Sequence, residues 1–527
     1  METGRESAAN DRGAEQNSQA AVIEFLSHPR SYPDCAESVS RIETHAAIVF
    51  LTGGHAYKLK RAVKLPYLDF STLEKRRAAI ERELEINSRA TPELYLSVLP
   101  VTRAASGFEF GGAGEVADWL LVMRRFDQEA LLDSIASQGR LERAHVVDLA
   151  YTIEHFHRMA PRVMDARFAQ NLAGVAASLE GALCGPGAQA EGLRLDHYIG
   201  QLRQELDTRL PLIAEREREG FVRRCHGDLH LRNIVLWGGK PRLFDAIEFD
   251  EQLATIDVLY DLAFLLMDLW HRGLRQDANL ILNHYFQRAA IVELEGLALL
   301  PLFLSLRAAI RTMTGVHALA FRNGAQREEA LKEIESYAGL ASGLLAPRRP
   351  CLIAIGGISG TGKTAAAFEV APLVGTAPGA LHIRTDVERK VMQGVDLDQR
   401  LPRDAYTAEA RDEVYRRVFK KAEVALDAEH SVIVDAVFPE EAARASLCEL
   451  AHRTNASFWG FWLEASAPVI QERLAARSAS ASDASDADAS VAEAQLKSVS
   501  PPEDWLKIDA SGSVSSAAAA IMKTLWA

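Results

Sequence analysis

Residues 357–364 read GISGTGKT and fit the pattern GxxxxGK[ST] at every position. That pattern constrains a fold only between a strand and a helix, and here the apolar run CLIAIGG leads into it and AAAFEVA follows it. Gly357, Gly360 and Gly362 allow the backbone N–H groups of the loop, those of Ser359 and Thr361 among them, to turn inward around phosphate oxygens. Lys363 would reach the β- and γ-phosphates and the Thr364 hydroxyl would bind Mg2+, while the helix N-terminus adds its positive dipole end. The C-terminal part of the chain is therefore expected to be an α/β P-loop NTPase domain with a parallel sheet, taking ATP and Mg2+.

Two acids and two arginines join this site by position. Asp435 ends the apolar strand SVIVD, a place for a Mg2+-binding carboxylate. Asp386 follows LHIRT at another strand end, where ligands bind in open α/β sheets, and could take the proton of an acceptor hydroxyl or bind Mg2+. Each acid could instead cap a helix. Arg473 and Arg477 in QERLAAR stand one helical turn apart and would suit a lid that neutralises transferring phosphate, or else a solvated helix face.

A chain of 527 residues has room for more than one domain. The segment APRRP at 346–350 cannot continue a helix, so it reads as a linker between a domain at 21–345 and one at 351–527. Residues 1–20 are polar and aperiodic, a disordered leader, and the Ser/Ala/Asp stretch 478–490 reads as a mobile loop. A net charge of −13 argues against nucleic acid or an anionic membrane as the main partner. The most apolar run, 297–306, contains Pro301 and is too short to span a bilayer. Five scattered cysteines without a CxxC pair, and a polar N-terminus, point to a cytoplasmic protein.

The N-terminal part opens on AAIVFLTGGHAYKLKRAV, two β-prone segments around Thr52-Gly53-Gly54 that predict a hairpin. A helix is expected over 73–89, a second hairpin over 107–123 through the glycine-rich turn 111–114, and mostly helix over 131–221. Then comes CHGDLHLRN (225–233), a strand at 234–237, Gly238-Gly239, a strand at 242–244, and Asp245. Phosphoryl transfer needs a carboxylate to orient the acceptor hydroxyl and oxygen ligands for Mg2+; Asp228 fits the first role, Asn233 and Asp245 the second. His226 and His230 lack a third ligand at the spacing of a zinc site. Asp257 and Asp261, four apart, would repel on one helix face, which predicts a compensating network or a share in the acceptor pocket.

The run HGDLHLRN with FDAIEFD resembles the aminoglycoside phosphotransferase and choline kinase branch of the protein-kinase-like fold. The resemblance implies an α+β N-terminal domain with Asp228 as base and Asn233 and Asp245 on Mg2+. It also matches Ala56-Tyr57-Lys58 to the strand lysine that holds nucleotide, with Lys60 on the same face. Glu83 is the carboxylate expected to pair with that lysine, Glu81 and Glu85 being alternatives, and LLVMRRFD resembles the adenine-holding hinge around Met123 or is an ordinary core strand. No GxGxxG covers the phosphates near residues 41–46.

Taken with GGISGTGKT, RTDVERK and VIVDAVF, the order of motifs is similar to a bacterial family of fused proteins that join such a domain to a P-loop kinase domain related to zeta-toxin-like kinases. It implies a bifunctional ATP-dependent kinase acting on small-molecule hydroxyls. An ATP-binding regulatory protein and a P-loop ATPase that needs no acceptor are the alternatives.

Overall fold

The computed structural model describes residues 19–33, 37–65, 68–319, 322–480 and 485–526, which pack as two compact units. The first runs to Phe168 and takes in Glu217–Asp261; the second holds Ala169–Arg216 and everything from Leu262. Helices that the linker at 346–350 would assign to the N-terminal domain thus pack in the same unit as the P-loop sheet. Most of the leader, 1–18, lies outside the described residues. Gln19 is already ordered: it is buried and donates to Asp118 Oδ2 at 2.8 Å and to the Lys60 carbonyl at 2.9 Å.

The first unit is built on a six-stranded antiparallel sheet. Its strands are β1 (Ser40–Glu43), β2 (Ala47–Thr52), β3 (His55–Lys60), β6 (Tyr95–Ala104), β7 (Gly107–Phe110) and β8 (Val116–Arg124), in the order β1-β2-β3-β8-β6-β7; a short ribbon, β4 (Lys64–Leu65) and β5 (Leu68–Asp69), lies apart. The β2–β3 hairpin forms as expected. The second expected hairpin does not: β7 and β8 lie on opposite sides of β6, each paired with it. The glycine-rich segment between them serves a crossing. A Cβ on Gly114 would stand 1.9 Å from the Arg103 carbonyl oxygen, so only glycine lets the chain pass that close. Phe50, Leu59, Val101 and Leu120 fill the core on one face of the sheet.

On the other face lies the helix Leu73–Ala90, capped by Thr72, with Ile80, Glu83 and Asn87 buried. The unit also holds the helix Arg143–Met159 and three short pieces: β9 (Val222–Arg224), the hairpin β10 (Ile234–Trp237) and β11 (Lys240–Leu243), and β12 (Thr255–Asp257), which pairs with β9.

The second unit carries five parallel strands: β13 (Cys351–Gly356), β14 (Leu381–Arg384), β15 (Val432–Asp435), β16 (Ser457–Glu464) and β17 (Leu506–Asp509). Their order is β14-β15-β13-β16-β17. The central strands are apolar at nearly every position, as a sheet covered on both faces requires. The edge strand β14 is not left bare. From the helix Arg275–Tyr285, Asn283 Oδ1 accepts the His382 N–H at 2.6 Å and Asn279 Nδ2 donates to the Ala380 carbonyl at 3.1 Å. Of the stretch expected to be a mobile loop, the start belongs to the helix Ala467–Ser480 and the end to the helix Ala489–Ser498. Residues 481–484 and the Arg477 side chain lie outside the described residues. Among the described residues, no helix is long and apolar enough to cross a membrane.

Candidate active sites

Strand alternation puts Lys58 and Lys60 on one face of β3, and both reach the same carboxylate. Lys58 Nζ lies 2.6 Å from Glu83 Oε1 and 2.6 Å from Asp245 Oδ1. Lys60 Nζ lies 2.5 Å from Glu83 Oε2 and also pairs with Glu248. Glu81 and Glu85 turn to Arg77, Arg82 and Arg89 instead. Glu83 is fully buried, a position a carboxylate holds only when well paired. Desolvation works against the Lys58 charge, but Asp245, Glu83 and Glu248 outweigh it and hold its pKa well above the ordinary value. Desolvation likewise pushes Asp245 up, and Lys58 reverses it, leaving that carboxyl below its usual range. Asp245 occupies the left-handed region at φ 62°, where the Tyr95 hydroxyl accepts its N–H at 2.9 Å.

The HGD loop lies between β9 and β10. Asp261, wholly buried, accepts the N–H groups of His226 at 3.0 Å and Gly227 at 2.8 Å and lies 3.1 Å from His157 Nε2. It is therefore the anchor of this loop, though not for the reason its spacing from Asp257 suggested. Asp257 does not share the helix; it ends β12 and accepts the Leu259 N–H at 2.8 Å. His226 spends both ring nitrogens, Nε2 on the Phe244 carbonyl at 2.9 Å and Nδ1 on the Asp228 N–H at 3.3 Å, and burial lowers its pKa. Asn233 Nδ2 donates to the Asp228 carbonyl and to its Oδ2, both at 2.9 Å, which leaves the Asn233 amide oxygen for another partner. Met123 is buried in an apolar cluster, with Ala56 and Tyr95 as its strand partners on either side.

In the second unit the loop after β13 takes the conformation its glycines permit. Gly357 has φ 141°, and a Cβ there would stand 2.7 Å from the Leu463 carbonyl oxygen and 2.9 Å from Thr361 Oγ1. Lys363 Nζ donates to the Ile358 carbonyl at 3.0 Å, and the Thr364 hydroxyl donates to Asp435 Oδ2 at 2.5 Å. His382 Nε2 and Arg384 Nε lie 3.5 Å and 3.9 Å from the same oxygen. Burial pushes Asp435 up, but His382, Lys363 and Arg384 together bring its pKa to about 2. Asp435 thus engages Thr364 rather than capping a helix. Asp386 sits in the first turn of the helix Thr385–Gln393, whose cap position is Arg384, and it lines the cavity over the loop. Arg473 is no solvated residue: it donates to the Thr361 carbonyl at 3.0 Å and to the Gly512 carbonyl at 2.7 Å. The Ser359 N–H is taken by Gln495 Oε1 at 2.7 Å.

The sequence pattern of the phosphotransferase enzyme family matches residues 55–299, and that of the AAA domain matches 352–502. The chain joins a phosphotransferase-family domain to an AAA-family P-loop domain. An uncharacterized protein of Mycobacterium tuberculosis is 29% identical over 457 residues, 84% of this chain and 87% of that one, and one from Mycobacterium bovis matches equally. Among solved structures, a choline/ethanolamine kinase family protein from Mesorhizobium loti covers 62% of this chain and 95% of its own at 13% identity and TM-score 0.39. A gluconokinase from Sinorhizobium meliloti covers 34% and 98% at 19% identity and TM-score 0.25.

Several residues of this phosphotransferase–P-loop fusion escaped the sequence reading. His382, beside Asp435, carries no signal inside the apolar strand LHIR. Gln495 comes from a helix with nothing in its sequence to tie it to the loop at 357–364. The arginines of the P-loop cavity had a signal, a density of Arg over 384–411 that no single motif contains.

Proposed function

We propose that the protein is a bifunctional ATP-dependent phosphotransferase, each site moving the γ-phosphoryl group of ATP to a hydroxyl of a small molecule. One observation carries this reading: each site gathers a lysine, oxygen ligands suited to Mg2+ and a further carboxylate beside them. The phosphotransferase domain would be 21–345 and the P-loop kinase domain 351–527, in a cytoplasmic protein without nucleic-acid partners. In the first site Lys58, held by Glu83, would bind phosphate oxygens; Asn233 and Asp245 would hold Mg2+, Asp228 would take the acceptor proton, and Met123 would back the adenine. In the second, the N–H groups of 357–364 with Lys363, Arg473 and Arg477 would cradle phosphate, Thr364 and Asp435 would hold Mg2+, and Asp386 would take the proton. The donor set fits such an ion: Thr364 and Asp435 are already in contact, and the strongly acidic Asp435 stays ionised. When bound, Mg2+ neutralises charge on the phosphates and the leaving oxygen.

The test is to incubate wild-type, Asp228→Asn and Lys363→Ala proteins with γ-labelled ATP and a metabolite extract. Two labelled products, one lost with each variant, are expected. ADP released at full rate with no acceptor present would assign an ATPase, and nucleotide binding without either outcome a regulatory protein.

A further inference from the structure

The cavity over the P-loop has a volume of about 700 Å³ and is far more basic than ATP alone requires. Besides Lys363 and Arg473, five arginines line it: Arg384, Arg389, Arg400, Arg403 and Arg411. Apart from Asp386, the carboxylates that share the lining are engaged elsewhere. Asp435 holds Thr364, and Asp488 accepts the N–H groups of Ser490 and Val491 at the start of its helix. Asp486 is claimed by Lys390 at 3.1 Å, the Leu401 N–H at 3.0 Å and the Tyr406 hydroxyl at 2.6 Å. Arg411 pairs with Glu440 and Arg384 approaches Asp435. Arg400 acts on Asp488, while Arg389 and Arg403 have no carboxylate within ion-pair distance among the described residues.

Arg389 is the telling one. It is 8% exposed, its Nη1 donates to the Ala405 carbonyl at 2.7 Å, and its Cζ stands 4.8 Å from the Tyr406 ring centroid. Its buried Nε has no hydrogen-bond partner. A guanidinium withdrawn from water with a donor left unsatisfied is disfavoured, and an anion that reaches that donor removes the cost. Arg389 is also three residues beyond Asp386, so both fall on one face of the helix Thr385–Gln393.

We propose that the acceptor at the P-loop site is a small hydroxylated anion, its phosphate or carboxylate group seated by Arg389 with Arg400 and Arg403 and its hydroxyl presented to Asp386. This deepens the kinase reading and rests on it. The acceptor oxygen bonds to the γ-phosphorus, the bond from that phosphorus to the β,γ-bridging oxygen breaks with its electron pair leaving on ADP, and the hydroxyl proton passes to Asp386. A neutral or cationic acceptor, an aminoglycoside included, would leave Arg389 buried and unpaired.

Full-length protein saturated with Mg2+ and AMP-PNP, which fills the phosphate loop, is titrated calorimetrically with inorganic sulfate and with malonate. One saturable site is expected, weakened about tenfold or more in Arg389→Met and in the exposed Arg403→Met, with melting temperature as the check on folding. Preference for sulfate assigns a phosphorylated acceptor, preference for malonate a hydroxy acid. Absence of a saturable site, or undiminished binding in a folded Arg403→Met and Arg389→Met, overturns the proposal while the kinase reading stands. Absence of AMP-PNP binding by the wild type overturns the kinase reading itself.

Discussion

Asp228 keeps its carboxylate partly in solvent while its Oδ2 accepts a hydrogen bond from Asn233. That setting suits the base proposed for the first site. In a Lys363→Ala background, which isolates the first site, Asp228→Asn is expected to lower kcat by about 10²–10⁴-fold and to leave KM for ATP nearly unchanged. Steady-state kinetics on the identified acceptor checks this, and a loss confined to KM would count against the role. His430 shows the opposite setting. Burial drops its pKa from 6.5 to about 4, against a weaker upward pull from the Gly379 backbone, so the folded protein keeps it neutral. The unfolded chain binds that proton first, so the contribution to stability is complete above pH 6.5 and is lost as pH falls toward 4. The shift corresponds to about 3 kcal/mol. Melting curves between pH 7 and pH 5 should show a fall in stability that His430→Leu flattens; an unaltered slope would clear His430 of the effect.

At the scale of elements, what was legible in the chain is what short-range chemistry dictates. The β2–β3 hairpin follows from Gly53-Gly54, and the strand–loop–helix around Gly357 from its pattern. The HGD loop with its hairpin is equally local, which is why Asp228, Asn233 and Asp245 could be named together. What stayed hidden depends on pairing between distant segments. β6 separates β7 from β8 because it pairs with β8 along most of its length and with β7 at its end, and no local signal distinguishes that from a direct hairpin. The fit of β16 beneath Trp505 is of the same kind. A Cβ on Gly460 would stand 2.6 Å from the indole ring, although the glycine's backbone is ordinary for a strand. Gly460→Ala should therefore destabilise the chain by about 1–3 kcal/mol through overpacking alone. In a Trp505→Leu background most of that loss should vanish, a coupling that urea unfolding of the two single variants and the double variant measures.

For the whole molecule, family and packing divide the chain at different places. The phosphotransferase match ends at 299 and the sequence suggests a linker at 346–350, yet the packed unit that contains the P-loop sheet includes Leu262–Ala527 and takes in Ala169–Arg216. The reason is the edge of the sheet. An open β14 would present unpaired backbone groups, and Asn279 and Asn283 satisfy two of them. The segment Ile291–Leu299 packs on the helix Ala408–Asp427, where Glu293 acts on the buried Lys421 that Glu388 holds. A fragment cut at the linker, residues 346–527, keeps every P-loop residue and loses this cover. Lost hydrogen bonds and apolar contacts of a few kcal/mol should lower its melting temperature on the order of 10 °C relative to the same transition in the full chain, and promote association through the bared edge. Scanning calorimetry with light scattering measures both. A fragment starting at 262 restores Asn279, Asn283 and Ile291–Leu299 and should recover much of the loss. If residues 346–527 alone melted as the full chain does, the helices from Leu262 onward would be neighbours of the P-loop domain and no part of its stability.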